Sequence, residues 1–215
     1  ADRALYHAKS LGKRQLTIYD SASGHKIGQD RVLARDLADA IRRGDFHLEF
    51  QPIVDSTTMK IAGAEALLRW FHPELGLVDP EKVVQLAAKR GNGSGLLDLV
   101  LRSACDAAQS WPEHTFVSVN VIAGDLQRHN FADQILNTLS ELSFPGQRLW
   151  LELTETELLE NDSLVLTNIN ALRAAGVIVA IDDFGAGYSS LSYLDHFPSD
   201  VVKIDKSLVR DCNTR

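Results

Sequence analysis

The sequence predicts an α/β protein built as a (β/α) barrel. From Phe46 onward, apolar segments of strand length alternate with amphipathic segments of helix length, which is typical of parallel strands joined by helical crossovers. Several predicted strands carry a single polar residue near the carboxyl end, where barrels place their chemistry. A short turn over residues 55–60 joins the first two strands, so we expect this pair to be antiparallel.

The amino-terminal part of the chain precedes this alternation. Residues 1–20 predict a helix ending near Gly12 and a short strand over 15–19, with too little apolar surface for a domain. The segment 21–30 has the composition of a linker. Residues 31–43 then predict an amphipathic helix whose apolar face includes Leu33 and Leu37.

The rest of the chain predicts six strands with helical returns. The strands are 46–53, 61–70, 115–122, 148–154, 177–182 and 201–205, and the helices are 80–90, 95–110, 131–142, 163–175 and 189–194. A complete barrel has eight strand–helix units. We therefore expect the chain to stop about two units short of closure.

Composition narrows the class of protein. The 215 residues are 45% hydrophobic and 24% charged, as in ordinary globular proteins. The net charge of -7 argues against binding to polymeric nucleic acid, which needs a basic surface. There is no transmembrane-length apolar run and no signal-peptide layout, so we expect a cytoplasmic location. Cys105 and Cys212 lie far apart and predict two unpaired thiols.

Polar residues near the strand ends form the candidate site. Residues two apart on a strand share a face, so a barrel would turn these groups toward one mouth. They are Glu65, Asn120, Glu152, Asp182, Asp183, Lys203 and Asp205. So many carboxylates close together are unfavourable unless a cation lies among them. An all-oxygen ligand set favours Mg²⁺ or Mn²⁺ over zinc.

The residue types suggest phosphoryl chemistry. Asp182 next to Asp183 would bridge two ions that activate water and hold a phosphoryl group. Lys203 would orient that water, help to deprotonate it or neutralise charge in the transition state. Arg69 shares a face with Glu65 and suits forked recognition of phosphate. The blander interpretation is that each acid is a helix cap or a surface residue, but their recurrence on successive strands favours a site.

Ordered sequence motifs carry a resemblance to a known family. They are FQPIVD at 50–55, EALLRW at 65–70, SVNV at 118–121, LELTE at 151–155, IDDFGAGYSSLSYL at 181–194 and VVKIDKSLV at 201–209. Together they resemble the EAL-domain family over residues 31–215. The resemblance implies a modified TIM barrel with an antiparallel first strand, and hydrolysis of cyclic di-GMP to linear pGpG. Residues 1–15, ADRALYHAKSLGKRQ, separately resemble the closing helix of a GGDEF (diguanylate cyclase) domain.

The resemblance also implies roles for single residues. Metal ligands would be Glu65, Asn120, Glu152 and Asp182 at one ion, with Asp182 and Asp183 serving a second. Catalytic positions would be Glu65, Lys203 at the attacking water, and Glu155, which would hold the loop over 183–188. Substrate-binding positions would be Gln51, Arg69 and Asp205.

Two departures from the family pattern are visible. Residues 86–97, LAAKRGNGSGLL, replace a typical LAEE-x-G-L-I stretch, which we expect to affect a helix rather than the metals. The family's last two strands, with a further catalytic Glu, are not among the 215 residues. Open sheet edges would then favour a homo-oligomer.

The sequence is compatible with three functions. A metal-dependent cyclic di-GMP phosphodiesterase is the leading hypothesis, because the set of candidate ligands is complete. A non-catalytic cyclic di-GMP receptor would bind without turnover. Another metal-dependent barrel enzyme acting on a phosphorylated sugar would prefer a different phosphoester.

Overall fold

The computed structural model describes residues 21–154, 163–185 and 197–210. The predicted elements over 1–20 and the predicted helix 189–194 lie outside these ranges. The described segments are organised around one mixed sheet with the strand order β1-β2-β4-β5-β6-β7, and β3 pairs with β2. The strands are β1 (Phe46–Val54), β2 (Ile61–His72), β3 (Gly76–Val78), β4 (Phe116–Val121), β5 (Leu149–Thr154), β6 (Ile178–Phe184) and β7 (Val201–Ile204).

The directions of the strands agree with the sequence pattern. β1 runs antiparallel to β2, as the short connecting turn predicts. From β2 through β4, β5, β6 and β7, all neighbouring pairs are parallel. Their carboxyl ends therefore meet at one edge of the sheet. Within the described ranges, β1 and β7 stand at the two ends of this strand order and do not pair with each other.

Seven α-helices accompany the sheet within the described ranges. They are α1 (Ser21–Arg43), α2 (Pro80–Lys89), α3 (Gly93–Gln109), α4 (Ala123–Leu126), α5 (Phe131–Glu141), α6 (Ser163–Ala174) and α7 (Lys206–Arg210). Local sequence explains where α2 begins. The Asp79 side chain accepts a hydrogen bond from the Glu81 amide, and Pro80 occupies the first turn, where a missing N–H costs nothing. No helix in these ranges combines the length and apolar character that crossing a bilayer requires.

The structure corrects three local predictions. The helix predicted over 31–43 begins at Ser21, because a helix nucleated over 31–43 gains one hydrogen bond for each residue it adds. The assignment of 21–30 as a linker between domains remains a prediction. β2 continues to His72 and forms a hairpin with β3, which is too short to show a periodic pattern. Arg148 belongs to the 3₁₀ turn Gly146–Arg148 and not to β5.

The main core lies between the sheet and α3, α5 and α6. The alternate residues of β4 and β5 that face these helices are Val117, Val119, Val121, Leu149, Leu151 and Leu153, and all are buried. A second cluster packs α1 and α2 around Trp70, with Leu33, Leu37 and Val83. Cys105 is buried in the main core as a free thiol, and Cys212 lies outside the described residues. Because one face of β4 and β5 packs against the core, polar side chains such as Asn120 and Glu152 lie on the opposite face.

Candidate metal centre

Five polar side chains from five strands converge at the carboxyl edge of the parallel sheet. They are Glu65 on β2, Asn120 on β4, Glu152 on β5, Asp182 on β6 and Lys203 on β7. Strand register produces part of this convergence, since Asn120 lies opposite Glu152. One carboxylate oxygen from each of Glu65, Glu152 and Asp182 lies within 4.8 Å of the others. The structure therefore brings together five of the predicted site residues.

Lys203 is the centre of this group. Its Nζ donates to Glu152 Oε2 at 2.5 Å, to Asp182 Oδ2 at 3.0 Å and to Glu65 Oε2 at 3.3 Å. Burial alone disfavours the ammonium, but the hydrogen bonds and charges of these carboxylates outweigh it and raise the pKa of Lys203. The side chain is therefore a cation at neutral pH, and in this state it has no free lone pair with which to act as a base.

Glu152 has a carboxylate oxygen that could serve a further cation. The residue is 1% exposed, and its Oε1 has no hydrogen-bond partner among the described residues. Burial raises the pKa of this carboxyl, while Lys203 opposes the rise. Three carboxylates around one ammonium leave an excess of negative charge, which an additional cation would compensate. Carboxylate oxygens are the ligands that hard divalent ions prefer, so the residues fit a metal.

Asn120 and Asp183 flank the three carboxylates in different ways. Asn120 Nδ2 donates to Glu65 Oε1 at 2.8 Å, which orients that carboxylate. Asp183 is exposed and has a φ of 53°, in the left-handed region that is unusual for a non-glycine residue. The pairing of β6 with β7 shifts register between Ile181 and Phe184, and the Asp183 amide donates to Asp182 Oδ1 at 2.9 Å. This irregularity turns Asp183 away from the regular alternation of the strand.

The environment of Asp183 favours protonation of its carboxyl. Loss of water around the carboxyl raises the pKa of Asp183, and the negative charges of Asp182 and Asp205 raise it further. Asp183 is not one of the three carboxylates that lie close enough to share an ion. Its assignment to a second metal remains a prediction.

A cavity of about 490 Å³ opens beside the carboxylates. Its polar lining includes Arg69, Asn120, Asp182 and Asp183, and its apolar lining includes Val84, Leu96 and Val100. Among the described residues that line the cavity, Arg69 is the one basic residue. The size and the mixture of apolar wall with a few polar groups are those of a small-molecule site.

The remaining predicted positions are dispersed. Gln51 lies opposite Glu65 in the β1–β2 register and is exposed. Asp205 accepts a hydrogen bond from the Ser207 amide at 2.8 Å, so in this structure it acts as a cap for α7. Glu155 lies outside the described residues.

One contact of the site was not predicted from the sequence. Arg69 Nε donates to Glu49 Oε2 at 2.7 Å, and Arg69 Nη1 donates to the Leu68 carbonyl at 2.9 Å. The signal available in the sequence was the alternation of β1, which puts Glu49 on the same face as Gln51. Finding the contact also required the register of the hairpin.

A parallel-dominated sheet with grouped carboxylates and a cavity at its carboxyl edge defines an α/β protein with a candidate metal centre. The chain belongs to the EAL domain family, whose model matches residues 34–215. EAL domains are metal-dependent and TIM-barrel-like, which agrees with the grouped acids and with the predicted fold class.

Two relatives from Pseudomonas aeruginosa have assigned activities. The bifunctional diguanylate cyclase/cyclic di-GMP phosphodiesterase MucR is 34% identical over 215 residues, which are 98% of this chain and 31% of MucR. The cyclic di-GMP phosphodiesterase NbdA is also 34% identical over 215 residues, covering 98% of this chain and 28% of NbdA. The chain thus spans less than a third of either relative.

A solved structure is similar over most of the chain. The phosphodiesterase PaMucR in complex with c-di-GMP superposes with a TM-score of 0.76 at 33% identity. The match covers 86% of this chain and 76% of that one. The sheet and helices described above therefore have the arrangement of an EAL domain.

Proposed function

We propose that this chain is the catalytic part of a cytoplasmic enzyme that hydrolyses cyclic di-GMP to linear pGpG in bacterial second-messenger signalling. The observation that carries the proposal is the grouping of Glu65, Glu152 and Asp182 around Lys203, next to a cavity of about 490 Å³. The activities of MucR and NbdA, which share the family and 34% identity, support the same substrate.

Glu65, Glu152 and Asp182 would hold a divalent ion, with Asn120 as a further oxygen ligand. We propose Mg²⁺ or Mn²⁺, because the donor set contains only oxygen. Asp183 would join Asp182 at a second ion. Bound ions of this kind lower the pKa of water and polarise a phosphoryl oxygen.

Side chains that do not bind metal would bind and orient the reacting groups. Since the pKa of Lys203 is raised, the lysine would be protonated and would donate a hydrogen bond to the oxygen of the attacking water. Its positive charge would also offset negative charge on the phosphoryl oxygens. Arg69 would bind a phosphate, with Gln51 and Asp205 as further contacts to the dinucleotide. Glu155 is proposed to hold the loop that follows β6.

The test is incubation of the purified protein with cyclic di-GMP in the presence of Mg²⁺, Mn²⁺ or EDTA. Chromatography should detect pGpG with either ion and none in EDTA. A panel of phosphorylated sugars serves as the substrate control, and preference for one of them would contradict the proposal. Tight calorimetric binding of cyclic di-GMP with metal but without turnover would instead support a receptor.

We also propose that the chain self-associates. β1 and β7 are the edge strands among the described residues, and Val202 and Ile204 on β7 are exposed. Unpaired strand edges with apolar side chains favour pairing with another chain. Light scattering should give a mass above that of a monomer, and a monodisperse monomer would contradict the proposal.

A further inference from the structure

Glu49 lies beside Arg69 of the cavity lining, outside the set of grouped carboxylates. In the antiparallel β1–β2 pair, Arg69 is directly opposite His47, and Glu49 is opposite Leu67. Glu49 is therefore the diagonal neighbour of Arg69 on the same face, a spacing that long side chains can bridge. The 2.7 Å contact between Arg69 Nε and Glu49 Oε2 is the result of this register.

The contact fixes which edge of the guanidinium is free. Glu49 occupies Nε, and Nη1 donates one hydrogen to the Leu68 carbonyl. Nη2 makes no hydrogen bond with any described residue. Because a guanidinium is planar, fixing Nε and Nη1 also fixes the plane and direction of Nη2. The Arg69 side chain lines the cavity, and Nη2 is its free edge.

The Arg69 side chain is more buried than that of Glu49, as expected if Arg69 contacts the ligand and Glu49 only holds Arg69 in place. The Arg69 side chain is 21% exposed and that of Glu49 is 58% exposed. Glu49 is not part of the cavity lining, so it would act on a ligand through Arg69. Holding Arg69 before a ligand arrives removes the entropy loss that a free arginine side chain suffers on binding.

We infer that Glu49 is a positioning residue that holds Arg69 ready to bind a phosphate of the substrate. This inference rests on the proposed function. The Glu49 carboxylate keeps the Nε edge of Arg69 occupied and leaves Nη2 for a phosphodiester oxygen. Glu49 itself transfers no proton and touches no reacting atom.

The inference predicts a specific kinetic pattern. Glu49→Ala should raise KM for cyclic di-GMP about threefold to tenfold, the size of effect expected for the loss of one typical hydrogen bond. Its kcat should change little, because Arg69 would bind the phosphate alike in the ground state and in the transition state. Glu49→Gln keeps an oxygen that accepts from Nε, so its KM should lie between those of wild type and Glu49→Ala.

The experiment compares these variants with a matched control and a double mutant. Glu141 pairs with Arg102 at 2.7 Å, is 60% exposed and lies on α5 away from the cavity, so Glu141→Gln should leave KM unchanged. In the Arg69→Ala background, Glu49→Ala should add nothing further. Thermal unfolding should show Glu49→Ala to be as stable as Glu141→Gln.

Two outcomes of the KM measurement would overturn the inference while leaving the proposed function intact. One is wild-type KM in Glu49→Ala, and the other is a lowered KM, which would mean that Glu49 competes with substrate for Arg69. An additive effect of Glu49→Ala in the Arg69→Ala background would also overturn it. Absence of turnover and of cyclic di-GMP binding in the wild-type protein would overturn the proposed function and this inference with it.

Discussion

Lys203 on β7 reaches across β6 to the buried carboxylate of Glu152 on β5, with 2.5 Å between Nζ and Oε2. The Glu152 side chain is 0% exposed, whereas that of Lys203 is 26% exposed. Removal of water from a carboxylate is costly unless an opposite charge replaces it. Lys203 therefore supports the folded metal-free protein in addition to its proposed part in catalysis.

Replacement of Lys203 should destabilise the metal-free protein. Lys203→Met leaves Glu152 buried without a cation, which should lower the free energy of unfolding in EDTA by roughly 3 kcal/mol. Mg²⁺ or Mn²⁺ should raise the melting temperature of the variant more than that of wild type, because the ion then supplies the missing charge.

The matched control is Lys82→Met. Lys82 is also 26% exposed, but its partner Asp30 is 42% exposed and remains solvated when the lysine is removed. Denaturant unfolding in EDTA should show a loss below about 1 kcal/mol for this variant. Equal losses for the two lysines would contradict the role assigned to Lys203.

Loss of one grouped carboxylate should weaken metal binding. Asp182→Asn removes a charged oxygen from the three-carboxylate group, so Mn²⁺ affinity measured by calorimetry should fall by about tenfold or more. The exposed Asp133 on α5 gives the control variant Asp133→Asn, whose Mn²⁺ affinity should match wild type. Unchanged affinity in Asp182→Asn would exclude this group as the metal site.

Asp200 should make stability depend on acid pH. Its carboxylate binds Arg173 Nη2 at 2.5 Å and accepts from the Val179 amide at 3.0 Å, and the Arg173 hydrogen bond lowers the pKa of Asp200 despite partial burial. A lowered folded-state pKa adds stability above the unfolded value of 3.8, and this stability is lost as pH falls through the folded value.

The corresponding variant is Asp200→Asn. It should lower the free energy of unfolding at pH 7 by about 1–2 kcal/mol. The difference from wild type should shrink once the pH falls below 3.8, because the wild-type carboxyl is then also losing its charge. A difference that stays constant from pH 7 to pH 2 would contradict this linkage.

Gly63 on β2 is required by close packing. A Cβ at this position would lie 2.6 Å from the Phe116 ring and 2.6 Å from its carbonyl oxygen. Phe116 is stacked on Trp150 with 3.7 Å between ring centroids, so the ring has little freedom to move. Gly63→Ala should cost about 1–3 kcal/mol of stability by overpacking.

A second glycine provides the comparison for Gly63. Gly28 lies in α1, and a Cβ added there would meet no atom within 4 Å. Gly28→Ala should be neutral or stabilising, because alanine favours a helix more than glycine does. Thermal unfolding of both variants measures the difference, and equal melting temperatures would contradict the packing argument.

Strand alternation explains why much of the site could be predicted from the sequence. Glu65, Asn120, Glu152 and Lys203 each occupy a strand position whose face is fixed by apolar neighbours, and parallel strands bring their carboxyl ends to one edge. The antiparallel β1–β2 pair followed from a turn too short for a crossover. These features depend on periodicity, which a single sequence displays directly.

Other features depend on geometry that periodicity does not specify. The left-handed backbone of Asp183 arises at a register shift between β6 and β7, and the sequence on its own does not fix that shift. The contact between Glu49 and Arg69 depends on side-chain rotamers across the hairpin. β3 has three residues, too few to establish an alternation.

The most direct test of the central claim is the initial rate of pGpG formation from cyclic di-GMP with Mn²⁺, measured for wild type and Glu65→Ala in parallel. Glu65 belongs to the three-carboxylate group and accepts hydrogen bonds from Asn120 and Lys203. We expect turnover by wild type and a rate at least about a hundredfold lower for the variant. No pGpG from wild type, or equal rates for the two proteins, would contradict it.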